Sequence, residues 1–525
     1  MKKLASVVVG LIAAAAPANA ADMPVKAPVM APVYSWTGLY FGLGAGLLSS
    51  RNQATTGTVQ VGPLVFNASP LINSDSLNNA AFRGSGYLGF NWQVAPKWVI
   101  GLEGDVGFAD RTTTFEGFFA PGAENGDSAD SFSIRTTWDA SARARAGFLL
   151  TPATLIYATG GAAWQHYEVS STCASTGNIT LPKVGFGNCS SLSPATLTDA
   201  VTRPGWTAGA GFETAFWGNW IARGEYRYAD FGIGTTTFTR SSTIPAANPF
   251  SQTVEVKSHE HLLTIGLAYK VGDPVAASNN GGARAPYPVK APPPAMMSWS
   301  GAYLGLAGGP RVSEARATTT ALTAVTGFVF TPLGAAGMAT SQQINGIAGR
   351  GEVYAGINWQ VMQWVLGLED DFGFADQTTT LLGYQFSPAA GGVFGGNSTF
   401  AMQTTWDASA RVRIGYLVSP TLLVYVTGGA AWQRFSVTST DGNPAELPQV
   451  IVNSADKVGP TVGAGLETSL SKNWFARAAY RYADFGTATF TLARTGAAFL
   501  KSETDTFDVR LRSHTATFGV AYKVD

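Results

Sequence analysis

The chain has 525 residues and a formal net charge of zero; 13% of its residues are charged, 12% are aromatic and 61 are glycine. A soluble secreted protein carries about a quarter charged residues, and a nucleic-acid binder carries a basic excess, so both classes are excluded by composition. Depleted charge without a long apolar run is the composition of a membrane β-barrel, in which half of each strand faces lipid.

Lys2 and Lys3 precede an apolar run over residues 4–16, followed by Ala18-Asn19-Ala20. This pattern predicts a secretory signal peptide over residues 1–20, too short and too alanine-rich for a spanning helix. Residues 21–33 read as a Pro-rich periplasmic lead containing Pro24-Val25-Lys26-Ala27-Pro28. The same five residues return as Pro288-Val289-Lys290-Ala291-Pro292 within a Pro/Gly-rich stretch, residues 272–296, expected to be a semi-rigid linker.

The linker divides two copies of one unit, expected at residues 34–271 and 297–525. Thr137-Trp138-Asp139-Ala140-Ser141-Ala142-Arg143 recurs as Thr405-Trp406-Asp407-Ala408-Ser409-Ala410-Arg411. Thr159-Gly160-Gly161-Ala162-Ala163-Trp164-Gln165 recurs from Thr427 to Gln433, and Tyr226-Arg227-Tyr228-Ala229-Asp230-Phe231-Gly232 recurs from Tyr480 to Gly486. Repeats of this length are domains rather than solenoid modules.

In the first unit, eight strands are predicted near residues 37–49, 82–95, 98–114, 133–150, 153–169, 205–217, 220–239 and 254–271. Tight turns alternate with long Ser/Thr/Asn/Gly loops, as in outer-membrane barrels. In the fourth strand Trp138, Ala140, Ala142, Ala144, Ala146 and Phe148 share one face, while Asp139, Ser141, Arg143 and Arg145 share the other. A period of two this regular places an apolar medium on one side and a polar interior on the other. Trp36, Tyr40, Trp92, Trp98, Trp220 and Tyr269 fall near the tight-turn end, where an interfacial girdle is expected. Asp370 takes the outward parity where the first unit has Gly104, so a local irregularity or a rim position is expected there.

The same parity assigns an inward charge set: Glu103, Asp105, Asp139, Arg143, Arg145, Glu213, Arg223, Glu225 and Arg227 in the first unit. In the second it assigns Glu369, Asp371, Asp407, Arg411, Arg413, Glu467, Arg477 and Arg481. Mixed signs favour a cross-paired network filling a narrow barrel over an ion-selective passage. Four histidines, His166, His259, His261 and His514, supply no base–nucleophile–orienter conjunction, so no catalytic site, cofactor or metal is expected. Cys173 and Cys189 lie in one loop of the first unit, and in an exported chain they are expected to form a local disulfide. Gly42-Leu43-Gly44-Ala45-Gly46 lacks the strand-to-helix context of a phosphate loop and reads as strand glycines.

The opening Tyr34-Ser35-Trp36-Thr37-Gly38-Leu39-Tyr40-Phe41-Gly42 and the ending Gly266-Leu267-Ala268-Tyr269-Lys270, with the Pro-Val-Lys-Ala-Pro lead, resemble the alphaproteobacterial outer-membrane immunogenic proteins. The second copy carries the same marks in Trp299-Ser300-Gly301-Ala302-Tyr303-Leu304-Gly305 and Gly519-Val520-Ala521-Tyr522-Lys523. Those relatives are small porin-like barrels and surface antigens. The resemblance implies a non-enzymatic structural and surface-antigen role in the outer membrane.

The expected fold is all-β: two tandem eight-stranded antiparallel transmembrane β-barrels joined by a Pro-rich linker. A porin-type channel, including one sixteen-stranded pore, is the alternative. Expected partners are outer-membrane lipid and lipopolysaccharide, the outer-membrane assembly machinery, and peptidoglycan or host surfaces, with no nucleic acid.

Overall fold

A computed structural model describes residues 34–61, 63–67, 74–116, 131–173, 195–240, 250–272, 298–324, 341–382, 399–440, 450–496 and 501–524. The expected signal peptide, the lead and nearly all of the expected linker lie outside the described residues, as does Cys189. Cys173 is the last residue of its strand.

The first copy forms β1 (Gly38–Val61), β2 (Asn79–Ala95), β3 (Trp98–Glu116), β4 (Ser131–Thr151), β5 (Thr154–Cys173), β6 (Ala195–Trp217), β7 (Trp220–Arg240) and β8 (Phe250–Lys270). The second forms β9 (Gly301–Ala324), β10 (Gly346–Val361), β11 (Trp364–Leu382), β12 (Thr399–Ser419), β13 (Leu422–Thr440), β14 (Val450–Ser469), β15 (Trp474–Gly496) and β16 (Lys501–Val524). Short segments Leu64–Asn67 and Ser74–Ser76 pair with β1, and Ser341–Gln343 pairs with β9. Every strand is antiparallel to its neighbour, and β8 returns to β1 from Tyr40↔Lys270 to Val61↔Phe250. In the same way β16 closes on β9. Each copy is therefore its own eight-stranded ring, and a single sixteen-stranded ring is excluded. Among the described residues no helix is long and apolar enough to cross a membrane.

The strands reach further than the sequence pattern indicates, because that pattern changes phase partway along. In β4 the buried residues are Phe132, Ile134 and Thr136, then Asp139, Ser141, Arg143, Arg145, Gly147 and Leu149. The register shift between Thr136 and Trp138 moves the inward face from even to odd positions. A bulge flips every later side chain to the opposite face. Even positions therefore carry apolar residues that face lipid below the bulge and fill the lumen above it.

The repeated Tyr-Arg-Tyr-Ala-Asp-Phe-Gly motif encodes another such bulge. Gly232 has φ 65°, and its N–H donates to the Asp230 carboxylate at 2.8 Å; Gly486 (φ 66°) and Asp484 repeat this at 3.0 Å. Only glycine adopts this left-handed conformation without a Cβ penalty. The inward face of β7 passes from odd residues through Phe231 to even residues from Gly234.

Two expectations need correction. Trp36 and Tyr40 are not girdle residues: Trp92, Trp98, Trp220 and Tyr269 are exposed, whereas Trp36 and Tyr40 are 1% and 2% exposed. Tyr40 shares the even, inward parity of lower β1. Trp36 folds across the ring's base, its indole N–H donating to the Pro152 carbonyl at 3.1 Å. Trp299 donates to the Pro420 carbonyl in the second ring at 3.4 Å. Asp370 sits at neither an irregularity nor a rim. It is exposed on the outer face and pairs in unbroken register with Ala355 and Ala410, between the girdle aromatics Trp364 and Phe374.

Candidate functional site

The lower lumen of each ring is filled by a layer of guanidinium and carboxylate groups. In the first ring Glu103 on β3 receives both terminal nitrogens of Arg223 on β7 at 2.7 Å, Arg145 on β4 at 3.3 Å and the Tyr40 hydroxyl at 2.7 Å. Arg143 completes its surroundings and also bonds Glu225 at 2.8 Å. Asp105 meets Arg83 at 2.8 Å, Arg227 at 2.6 Å and the Ser141 hydroxyl; Asp139 meets the same two arginines. Glu213 pairs with Arg145 at 2.9 Å. The side chains in these pairs are at most 6% exposed.

Glu369 in the second ring accepts from Arg477 at 2.9 and 2.7 Å, Arg411 at 2.6 Å, Arg413 at 3.2 Å and the Tyr303 hydroxyl at 2.7 Å. Asp371 binds Arg350, Arg411 and Arg481; Asp407 binds Arg350, Arg481 and Arg311; Glu467 binds Arg413 at 2.8 Å. Tyrosines carry the guanidinium planes: Arg145 lies 3.9 Å over Tyr157, and Arg413 lies 4.1 Å over Tyr425.

The structure thus brings all the inward charges named from the sequence into two connected clusters. Parity alone missed Arg83 and Arg350, although the dipeptide Arg-Gly recurs at both positions. It also missed Arg311 and Glu352, which stand where the first ring has Leu48 and Ser85. Gly107 and Gly373 make room for Arg83 and Arg350, since a Cβ at either would lie about 2 Å from the guanidinium.

Apolar layers bound the charged layer on both sides. Below lie Trp36, Tyr87, Val99, Leu149, Leu155 and Ile221. Above the bulges, Phe132, Ile134, Tyr167, Val169, Phe238 and Val254 fill the first ring. Phe400, Phe435, Phe490 and Phe507 fill the second, with ring centroids 5.3–5.6 Å apart. A narrow barrel packed in this way has walls stapled to one another across the interior.

The histidines lie outside these lumens. His261 bonds the Tyr226 hydroxyl at 2.9 Å, His514 that of Tyr480 at 2.8 Å, and His166 stacks on Trp138. His259 faces Tyr228 and Asp230. No group of three or more His, Cys, Asp or Glu residues among the described residues is arranged to hold a metal. The glycine run at residues 42–46 lies within β1, where a Cβ on Gly42 would meet the Tyr87 ring at 2.4 Å. Beyond the membrane band, two hydrogen bonds from Arg135, at 2.7 and 2.8 Å, hold the Asp110 carboxyl below the usual carboxylate range.

Closed antiparallel rings of eight strands with an apolar outer belt and a packed polar interior define outer-membrane β-barrels. The chain belongs to the outer membrane protein beta-barrel domain family, whose model matches twice, over residues 5–270 and 291–523. It is 29% identical over 284 residues to the 31 kDa outer-membrane immunogenic protein of Brucella melitensis, covering 50% of this chain and 99% of that protein. It is also 29% identical over 255 residues to the 25 kDa outer-membrane immunogenic protein of Brucella abortus, covering 46% and 93%. A Pseudomonas aeruginosa FadL homologue of known structure aligns over 93% of this chain and 90% of its own, at 8% identity and a TM-score of 0.28. This chain is thus an outer-membrane protein with two barrel domains.

Proposed function

We propose that this protein is a non-enzymatic structural element of the outer membrane that presents its long loops at the cell surface as antigens. The observation that carries the proposal is the closed lumen. Glu103 and Glu369 each tie three arginines from two other strands across the ring, between apolar layers above and below. A passage for solutes needs a continuous water-filled interior, and paired charges packed between apolar layers argue against one. The immunogenic character carried by the relatives' names agrees with surface-exposed loops. Lipid and lipopolysaccharide are the partners suited to the apolar belt, and the outer-membrane assembly machinery to the strands. Host surfaces are the partners suited to the loops, and peptidoglycan to the basic lead and linker at Lys26 and Lys290.

The test is conductance of the mature protein in a planar lipid bilayer, using a preparation verified as folded by its heat-dependent gel shift. Silence or brief flickers are expected. Large, stable, reproducible steps would replace this reading with that of a porin.

A further inference from the structure

The outer face of each ring should meet lipid on all sides, yet one sector of each does not. In the first ring the outward residues Leu47, Thr214, Ala222 and Leu263 are 5%, 0%, 4% and 2% exposed. In the second, Val312, Thr468, Ala478 and Ala516 are each 0% exposed. These residues are buried against one another. Phe212 meets Phe518 edge to face at 6.4 Å, and Leu47 and Leu263 cluster with Val312 and Ala516. Gly224 faces Ala478 so closely that a Cβ on the glycine would lie 3.0 Å from the alanine methyl.

Along one line of this contact the residues that meet are equivalents of each other in the repeat. Thr214 and Thr468 each follow the lumen glutamate of their strand, Glu213 or Glu467, and their hydroxyls lie 2.9 Å apart. Gly224 and Ala478 both stand two residues before the Tyr-Arg-Tyr motif. At the outer end, the side-chain amide of Asn78 donates to the Asn345 carbonyl at 2.8 Å, and that of Asn345 donates to the Asn78 carbonyl at 2.8 Å. These two asparagines occupy matching places, each after a residue whose N–H bonds the first strand of its own ring. Off the axis the contacts exchange: Phe212 meets Phe518, while their equivalents Leu466 and Ile265 join the same cluster. Self-pairing on an axis and exchange away from it define an isologous two-fold interface. A linker that merely tethers two barrels raises their local concentration without selecting one face.

We infer that the two barrels dock side by side in the membrane as a pseudo-two-fold pair, with the second barrel as the partner of the β6–β8 and β1 face of the first. Small residues at Gly224, Ala222 and Ala478 let the walls approach. The threonine hydroxyls pair where lipid offers no hydrogen bonds, and each asparagine amide is taken up by the other's backbone carbonyl. The inference is independent of whether either lumen conducts.

The experiment uses the full chain in outer membranes, with Cys173→Ser and Cys189→Ser removing the native thiols and a protease site inserted between residues 273 and 297. Thr214→Cys with Thr468→Cys should oxidise to an internal cross-link, because the hydroxyls they replace are already in contact. The uncleaved chain should run as a monomer. After cleavage the halves should stay joined without reductant and separate with it. Leu102→Cys with Leu368→Cys, also equivalent and lipid-facing but outside the buried sector, should not cross-link. Adding Gly224→Leu and Ala478→Leu should cut the Thr214–Thr468 yield several-fold while both barrels keep their heat-dependent gel shift. Failure of the first pair to join, equal joining of the second, or a yield unmoved by the leucines would each overturn the pairing.

Discussion

Glu103→Ala and Glu369→Ala are the same change at equivalent positions, yet the second is expected to cost more. Removing one partner of a buried ion pair costs about 3–5 kcal/mol, chiefly because the remaining charge is stranded. In the first ring the arginines left behind keep other carboxylates: Arg143 and Arg223 retain Glu225, and Arg145 retains Glu213. In the second ring Ala479 stands where the first has Glu225, and among the described residues Glu369 is the carboxylate paired with Arg477. Glu103→Ala should therefore fall near the lower end, about 3 kcal/mol, and Glu369→Ala near about 5 kcal/mol. The assay is urea unfolding of the full chain in lipid vesicles, followed by tryptophan fluorescence, with the shift in midpoint converted through the slope. Equal losses, or a loss below about 1 kcal/mol at Glu103 as for an exposed pair, would refute the argument that these charges are packed rather than solvated.

Asp370→Ala removes a carboxylate from the lipid face and should stabilise the second barrel by up to about 2 kcal/mol, read from the same unfolding curves. Gly232→Ala forces a side chain into the left-handed region and should cost about 1–2 kcal/mol, whereas Gly234→Ala, without that backbone demand, tests only the contact with Tyr167. Phe132→Ala should cost about 3–5 kcal/mol if the upper lumen is a packed core, and well under 1 kcal/mol if it holds water.

The ring architecture and most of the lower charge layer are legible in the sequence, since a lumen that excludes lipid forces alternation on every strand. Asp139, Ser141, Arg143 and Arg145 could hardly occupy any other face. The upper lumen is not legible in that way. Phe132 and Ile134 share the parity of the lipid-facing Trp138 and Ala140, and only the bulge between them reverses the meaning of that parity. The bulge in β7 did leave a signal, since Asp-Phe-Gly after the arginine of the lower charge layer is a turn sequence inside a strand, and it occurs in both copies. Tyr40 and Trp36 look like girdle residues because aromatics near a tight turn suit both an interface and a plug. What separates them is Tyr40's inward position opposite Glu103 and Arg145. The docked faces left no sequence trace, because a surface that packs against another barrel is as apolar as one that packs against lipid.

The two copies fill the same space with different residues, which bears on what the lumen is for. The first ring's network sets Arg83, Arg143, Arg145, Arg223 and Arg227 against Glu103, Asp105, Asp139, Glu213 and Glu225. The second lacks the counterpart of Glu225 but has Glu352, which pairs with Arg350 and accepts from Thr517 at 3.0 Å. It also has Arg311 in place of Leu48, and that guanidinium is consumed by Asp407, the Ala375 carbonyl and the Thr404 hydroxyl. Glu352 restores the carboxylate count lost with Glu225, while Arg311 adds a sixth arginine to five carboxylates, so each buried charge keeps a partner without any particular field being kept. An ion-selective passage depends on where its charges point along the path. A packed interior needs only that each buried charge find a partner nearby. The exchange of Glu225 for Glu352 is neutral for the second requirement and disruptive for the first, so the divergence between the copies supports interiors built to be filled.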